Sequence, residues 1–187
     1  MNKYYEVYNE FIPHTICDYI ISEAQMYEPN DATVGTYNNL SLPEHRISTV
    51  RWLPPFNNYV TPFLLTAALN SNKHWEYIID PELVAIQFTE YYGTLKGHFN
   101  WHNDILLDKS KHRKVSVILQ LSDPTDYEGG FLEMENWVGF NNSQAEIAFK
   151  KRGSVLVFPS ILQHRVSPVT LGTRYSVVTW LEGPQFK

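Results

Sequence analysis

From residue 83 onward the chain repeats short runs of strand character, alternating apolar and polar positions in His98–Asp104 as a half-buried strand does and continuously apolar after Ser154 as a buried one does. The runs are Leu83–Tyr92, His98–Asp104, Lys114–Leu121, Phe131–Met134, Ala145–Phe149, Gly153–Phe158 and Thr173–Leu181. Segments carrying Gly, Pro, Asp and Asn separate them, as in Asp123-Pro-Thr-Asp-Tyr-Glu-Gly-Gly130. The first 82 residues read differently. Helical spacing places Ile16, Ile20, Ile21 and Ala24 on one stripe over residues 11–25, with Pro13 suited to the first turn. A second stripe of Val60, Phe63, Leu64, Ala67 and Ala68 predicts a helix over 57–69. Short strands are predicted at 3–8, 48–53 and 75–79, a long polar loop at 27–45, and a cation-rich loop at 107–114. Many short strands after a helical section predict a mainly β fold, a sandwich or jelly roll with flanking helices.

Composition narrows the class. The 187 residues suit one domain, with 1–82 as support and 83–184 as the core, and no linker or internal repeat marks a second. A net charge of −5 argues against nucleic acid or an anionic membrane as partner. The single cysteine, Cys17, forbids an intramolecular disulfide, and the N-terminus lacks a secretory apolar core. No run is long enough to span a bilayer, so the expected location is the cytoplasm.

The candidate chemistry lies in Trp101-His102-Asn103-Asp104. In an extended strand, His102 and Asp104 point the same way. A second imidazole would complete two histidines and one carboxylate on one face of a metal, the set used by non-haem Fe(II) oxygenases. His164 is the best candidate, because it follows the apolar run Ser154-Val-Leu-Val-Phe-Pro159. Alone, a His-x-Asp triplet is usually a pair of solvated residues, and the context is what raises this one. Of the other histidines only His98 shares the strand face, and about 13 Å of strand separates it from the triplet, too far for one metal. Arg174 shares a strand face with Ser176, Val178 and Trp180, so it should enter a pocket and require an anion. A dicarboxylate co-substrate, one end on the metal and the other on the guanidinium, meets that requirement, with Ser176 beside it.

Several ordered motifs carry a family resemblance. They are Gln87-Phe-Thr-Glu-Tyr91, Phe99-Asn-Trp-His-Asn-Asp104, Val115-Ser-Val-Ile-Leu-Gln-Leu-Ser-Asp-Pro124 and Tyr127-Glu-Gly-Gly-Phe-Leu-Glu133, then Gly153-Ser-Val-Leu-Val-Phe-Pro-Ser160 and His164-Arg-Val-Ser-Pro-Val-Thr-Leu-Gly-Thr-Arg-Tyr-Ser176. Over about residues 83–184 the chain resembles Fe(II)- and 2-oxoglutarate-dependent dioxygenases of the prolyl-4-hydroxylase-like group, bacterial and phage-type members especially. The resemblance implies a double-stranded β-helix, a cupin-like jelly roll with N-terminal helices packed on it. It implies Fe(II) on His102, Asp104 and His164, and 2-oxoglutarate on that iron, with its far carboxylate on Arg174 and the Tyr91 hydroxyl. Tyr92, one residue on, would face the other side. O2 is the oxidant, and ascorbate is an accessory that the family allows. The implied reaction hydroxylates an unactivated C–H bond, releasing succinate and CO2, on a peptide or protein residue such as proline, or on a small molecule. The turn Gly93-Thr-Leu-Lys-Gly97 departs from the common proline–glycine turn. Two other readings stand beside this one: a jelly-roll binding module without turnover, and a cupin-like metal enzyme without a co-substrate. The Arg174 and Tyr91 pair argues against the latter.

Overall fold

The computed structural model describes residues 4–32, 42–56, 58–106, 110–134 and 149–186. Among these residues two α-helices, α1 (His14–Ala24) and α2 (Thr61–Asn72), accompany twelve strands. These are β1 (Glu6–Tyr8), β2 (Asn30–Asp31), β3 (Arg46–Ile47), β4 (Thr49–Leu53), β5 (Ile86–Tyr92) and β6 (His98–His102). They continue as β7 (Lys111–Gln120), β8 (Tyr127–Gly129), β9 (Leu132–Met134), β10 (Val155–Pro159), β11 (His164–Val166) and β12 (Val169–Pro184).

The strands form two antiparallel sheets. The large one runs β1-β10-β7-β12-β5-β4-β2, with β8 paired to β12, and the small one runs β3-β6-β11-β9. This is the jelly-roll arrangement the sequence implied. Alternation along β7 shows why the layers form. Val115, Val117 and Leu119 join the core under the helices with Ile20, Leu64 and Ala67. Ile118 faces the opposite way, into a second core with Tyr91, Leu132, Phe158 and Val166 between the sheets. The polar residues Ser116 and Gln120 share that inward face and are buried. Among the described residues, no helix is long and apolar enough to cross a membrane.

Four expectations are corrected. Residues 75–79 are not a strand: Glu76 adopts a left-handed φ of 55°, and the Asn72 side chain takes up the backbone of Tyr77 in both directions, at 2.9 and 3.2 Å. Those bonds occupy groups that a neighbouring strand would need. Residues 111–113 are strand rather than loop, because Lys111 pairs with Asp80 at 2.7 Å and Arg113 stacks on Trp180, which leaves their backbone free to pair with β12. The long loop at 27–45 contains β2, while residues 33–41 lie outside the described residues. Finally, β6 stops at His102 rather than at Asp104. The Asn103 side chain accepts the Ile105 N–H at 3.2 Å, forming a local turn in place of a ladder bond. The predicted loop around Asn141 and Asn142 and nearly all of the predicted strand 145–149, as far as 148, lie outside the described residues, as do 107–109.

Candidate metal and co-substrate site

His102 and His164 are paired partners on β6 and β11, and Asp104 reaches the same point from the turn after β6. The ligand atoms of all three lie within 4.8 Å of one another. Asp104 Oδ1 is 3.8 Å from His102 Nε2, and Oδ2 is 3.8 Å from His164 Nε2. Each imidazole is oriented by its own backbone. His102 Nδ1 lies 2.7 Å from the Asn100 carbonyl and His164 Nδ1 lies 3.0 Å from the Leu162 carbonyl. A carbonyl only accepts, so both Nδ1 atoms carry the proton and both Nε2 lone pairs face the gap. Phe99 lies flat on His102, with centroids 3.5 Å apart at 14°, and Phe158 meets His164 edge-on at 4.8 Å.

Electrostatics favour the ligating forms. Burial, then the neighbouring His164, pushes His102 down to about 3, so the ring is neutral at ordinary pH. Burial alone would raise Asp104, but His164, His102, Arg113 and the Ser116 hydrogen bond outweigh it and hold the carboxyl below its ordinary value. Two imidazoles and one carboxylate form a donor set that fits a divalent cation and leaves one face open.

Arg174 is 2% exposed and sits opposite Tyr91 in the β12–β5 ladder, its guanidinium carbon 5.6 Å from the Tyr91 ring centre. Among the described residues it has no hydrogen-bond or ion-pair partner. A buried cation without an anion is costly, so this pocket is built for an anionic guest. Tyr91 is buried between the sheets, and Ser176 lies two positions along β12 on the face of Arg174. Tyr92 turns to the other face, where burial and Glu90 raise its phenol to about 12.

Other functional groups gave weaker signals in the sequence. Arg46, on β3, is buried against the Phe99 ring at 4.4 Å, and Tyr91 and Asp104 both offset the desolvation of its guanidinium. Arg113 stacks on Trp180 at 3.6 Å, and among the described residues the buried Arg113 Nε and Trp180 Nε1 have no hydrogen-bond partner. Ser116 donates to Asp104 Oδ2 at 2.6 Å. Only the last carried a signal, as a polar residue between the apolar Val115 and Val117.

A family profile described as the 2OG-Fe(II) oxygenase superfamily matches residues 86–182, just over half the chain. The chain belongs to that superfamily. A PKHD-type hydroxylase from Synechococcus sp. is 32% identical over 123 residues, covering 64% of this chain and 52% of the relative. Another, from Colwellia psychrerythraea, is 40% identical over 94 residues, covering 48% of this chain and 40% of its own length. This member of the superfamily thus matches about half the length of its curated relatives, or less. Among solved structures, a Pseudomonas putida prolyl-4-hydroxylase superposes with a TM-score of 0.71 at 20% identity, covering 97% of this chain and 94% of that one. A Trichoplax adhaerens prolyl hydroxylase, in complex with a hypoxia inducible factor oxygen degradation domain peptide fragment, gives 0.73 at 16% identity, covering 95% and 83%. These two similarities show a shared fold.

Proposed function

We propose that this chain is an Fe(II)- and 2-oxoglutarate-dependent hydroxylase, with His102, Asp104 and His164 holding the iron and Arg174 holding the far carboxylate of 2-oxoglutarate. The observation that carries the reading is the buried, unpartnered Arg174 guanidinium on the inward sheet face that also bears the Asp104-bound Ser116. A metal site alone would fit many enzymes; a metal site beside an unmatched buried cation calls for an anionic metal-binding co-substrate. Iron, when bound, supplies the O2 chemistry that decarboxylates 2-oxoglutarate to succinate and CO2 and hydroxylates the primary substrate.

The protein's own contribution is placement. The two Nδ1–carbonyl bonds fix the imidazoles before any metal arrives, which lowers the cost of binding. Tyr91 and Ser176 flank the guanidinium and offer hydroxyl protons to the same carboxylate. The apolar residues between the sheets exclude water from the reacting centre.

The primary substrate is a peptidyl residue in this reading. The superposed Trichoplax adhaerens prolyl hydroxylase, in complex with a peptide fragment, supports this choice. The test is an anaerobic titration of the Fe(II)-loaded protein with 2-oxoglutarate, followed by the visible metal-to-ligand charge-transfer band. A saturable band in the wild type, lost in Arg174→Ala at equal concentration, is expected. Iron binding without any band would refute the co-substrate assignment.

A further inference from the structure

Two buried serines, from different strands, meet behind the candidate ligand Asp104. Ser116 lies on the inward face of β7 and Ser160 directly follows β10, and both are 0% exposed. Ser116 Oγ donates to Asp104 Oδ2 at 2.6 Å, and Ser160 Oγ is 2.8 Å from Ser116 Oγ. A serine hydroxyl has one proton. Since that of Ser116 is committed to the carboxylate, Ser160 must donate to Ser116. The relay therefore has one polarity, from Ser160 to Ser116 to Asp104.

The backbone reinforces it. The Asp104 N–H donates to the Ser160 carbonyl at 2.9 Å, and the Ser160 N–H donates to the Lys114 carbonyl at 2.9 Å. Ser160 thus holds Asp104 by its main chain and, through Ser116, by its side chain. This matters because Asp104 stands beyond the end of β6, where no ladder bond fixes it. Neighbouring inward positions on these strands are the apolar Ile118 and Phe158. Two hydroxyls placed there would each carry a desolvation cost unless they ended on a strong acceptor.

We propose that Ser116 is the positioning residue of the metal site: both Asp104 oxygens lie 3.8 Å from an imidazole Nε2, and the Ser116 proton, committed to Oδ2, leaves Oδ1 as the better ligand for a divalent cation. A carboxylate free to swing could chelate through both oxygens and take a coordination position that the open face needs. An oxygen already receiving a short hydrogen bond is the poorer ligand, and its partner the better one. Ser160 supports this by orienting the Ser116 hydroxyl.

The inference rests on the metal-site reading above, and the experiment separates the two. Cobalt(II), a spectroscopic divalent probe, is titrated into wild type, Ser116→Ala, Ser116→Thr and Ser160→Ala, recording affinity and the visible ligand-field spectrum. The wild type should bind one equivalent. Ser116→Ala should bind roughly 10- to 100-fold more weakly, the usual effect of losing a partner of a metal ligand, with a ligand-field spectrum altered in position and intensity. Ser116→Thr, which keeps the hydroxyl, should restore both. Ser160→Ala should show a smaller loss in the same direction, and it decides the matter should either Ser116 variant fail to fold. A wild type that binds no cobalt overturns the metal site itself. Cobalt binding and spectra unchanged in Ser116→Ala, or in Ser160→Ala where that variant decides, overturn the relay alone, as does a folded Ser116→Thr that behaves like Ser116→Ala.

Discussion

His102 and His164 stand directly opposite one another on β6 and β11, with ring centroids 4.2 Å apart. Antiparallel pairing puts directly opposed side chains on the same face, so the two imidazoles converge without help from a loop. The ladder is irregular just beyond, between His164 and Val166, so the register that matters is local. Removing either ring should leave the sheet intact but break the donor set. His102→Ala and His164→Ala are each expected to lose metal-dependent turnover and to lower divalent metal affinity by at least about 100-fold, as loss of a direct ligand should exceed loss of its partner. Equilibrium metal titration checks this, and near-wild-type affinity in either variant would remove that histidine from the site.

Arg174 makes two predictions of opposite sign. Truncation to alanine should weaken 2-oxoglutarate about 10- to 100-fold, the equivalent of losing charged hydrogen bonds worth about 1.5–3 kcal/mol, while metal affinity stays put. Among the described residues of the ligand-free protein the same guanidinium is a buried charge without a partner. Arg174→Met, which fills similar volume without charge, should therefore raise the apo-protein's unfolding free energy by about 1–4 kcal/mol. Calorimetry of apo wild type and variant decides it. A destabilised Arg174→Met would mean the guanidinium already has its anion.

The fold and much of the site were legible because both rest on alternation. Val115 to Leu121 alternates except at the apolar Ile118, and the structure divides its apolar residues between two cores, with Ile118 in the second. Arg174 on a face with Val178 and Trp180 could be read as a buried cation for the same reason. What was hidden depends on local competition or on distant partners. Nothing in Trp75-Glu-Tyr-Ile-Ile79 reveals that Asn72 will take the backbone of Tyr77, so a strand-like composition becomes an irregular segment. Asp104 was placed beside His102 by strand period, whereas the Asn103 turn and the Ser160 carbonyl deliver it. Arg46 sits in a polar stretch with no periodicity, and only the tertiary fold brings it over Phe99.

Gly153 joins the first helix to the barrel and should tolerate no side chain. It has φ +77°, and a Cβ there would lie 2.2 Å from the Ile12 carbonyl oxygen. Its own carbonyl accepts the Ile12 N–H at 2.9 Å, so the two segments cannot part without losing that bond. Gly153→Ala is expected to cost about 2–4 kcal/mol, from left-handed strain plus the clash. Denaturant unfolding should show the loss, while metal affinity measured below the transition stays at the wild-type value. An unchanged midpoint would show that the Ile12 segment moves aside freely.

Acid should destabilise the metal-free protein in a defined window. His102 titrates at about 3 in the folded chain against an ordinary 6.5, because burial and then His164 oppose its charge. Between those values the unfolded chain binds the extra proton and the folded chain does not, so stability rises with pH across the window. Asp104 works in the same direction. Its carboxyl is held below the ordinary value, so the stability it lends is present above that value and is lost as pH falls through the folded one. The apo-protein's denaturation midpoint should therefore climb from about pH 3 to about pH 6.5 and then flatten. His102→Phe, which keeps an aromatic ring against Phe99 but cannot be protonated, should remove much of that slope. Parallel pH profiles for wild type and His102→Phe would show that the acid sensitivity comes from other groups.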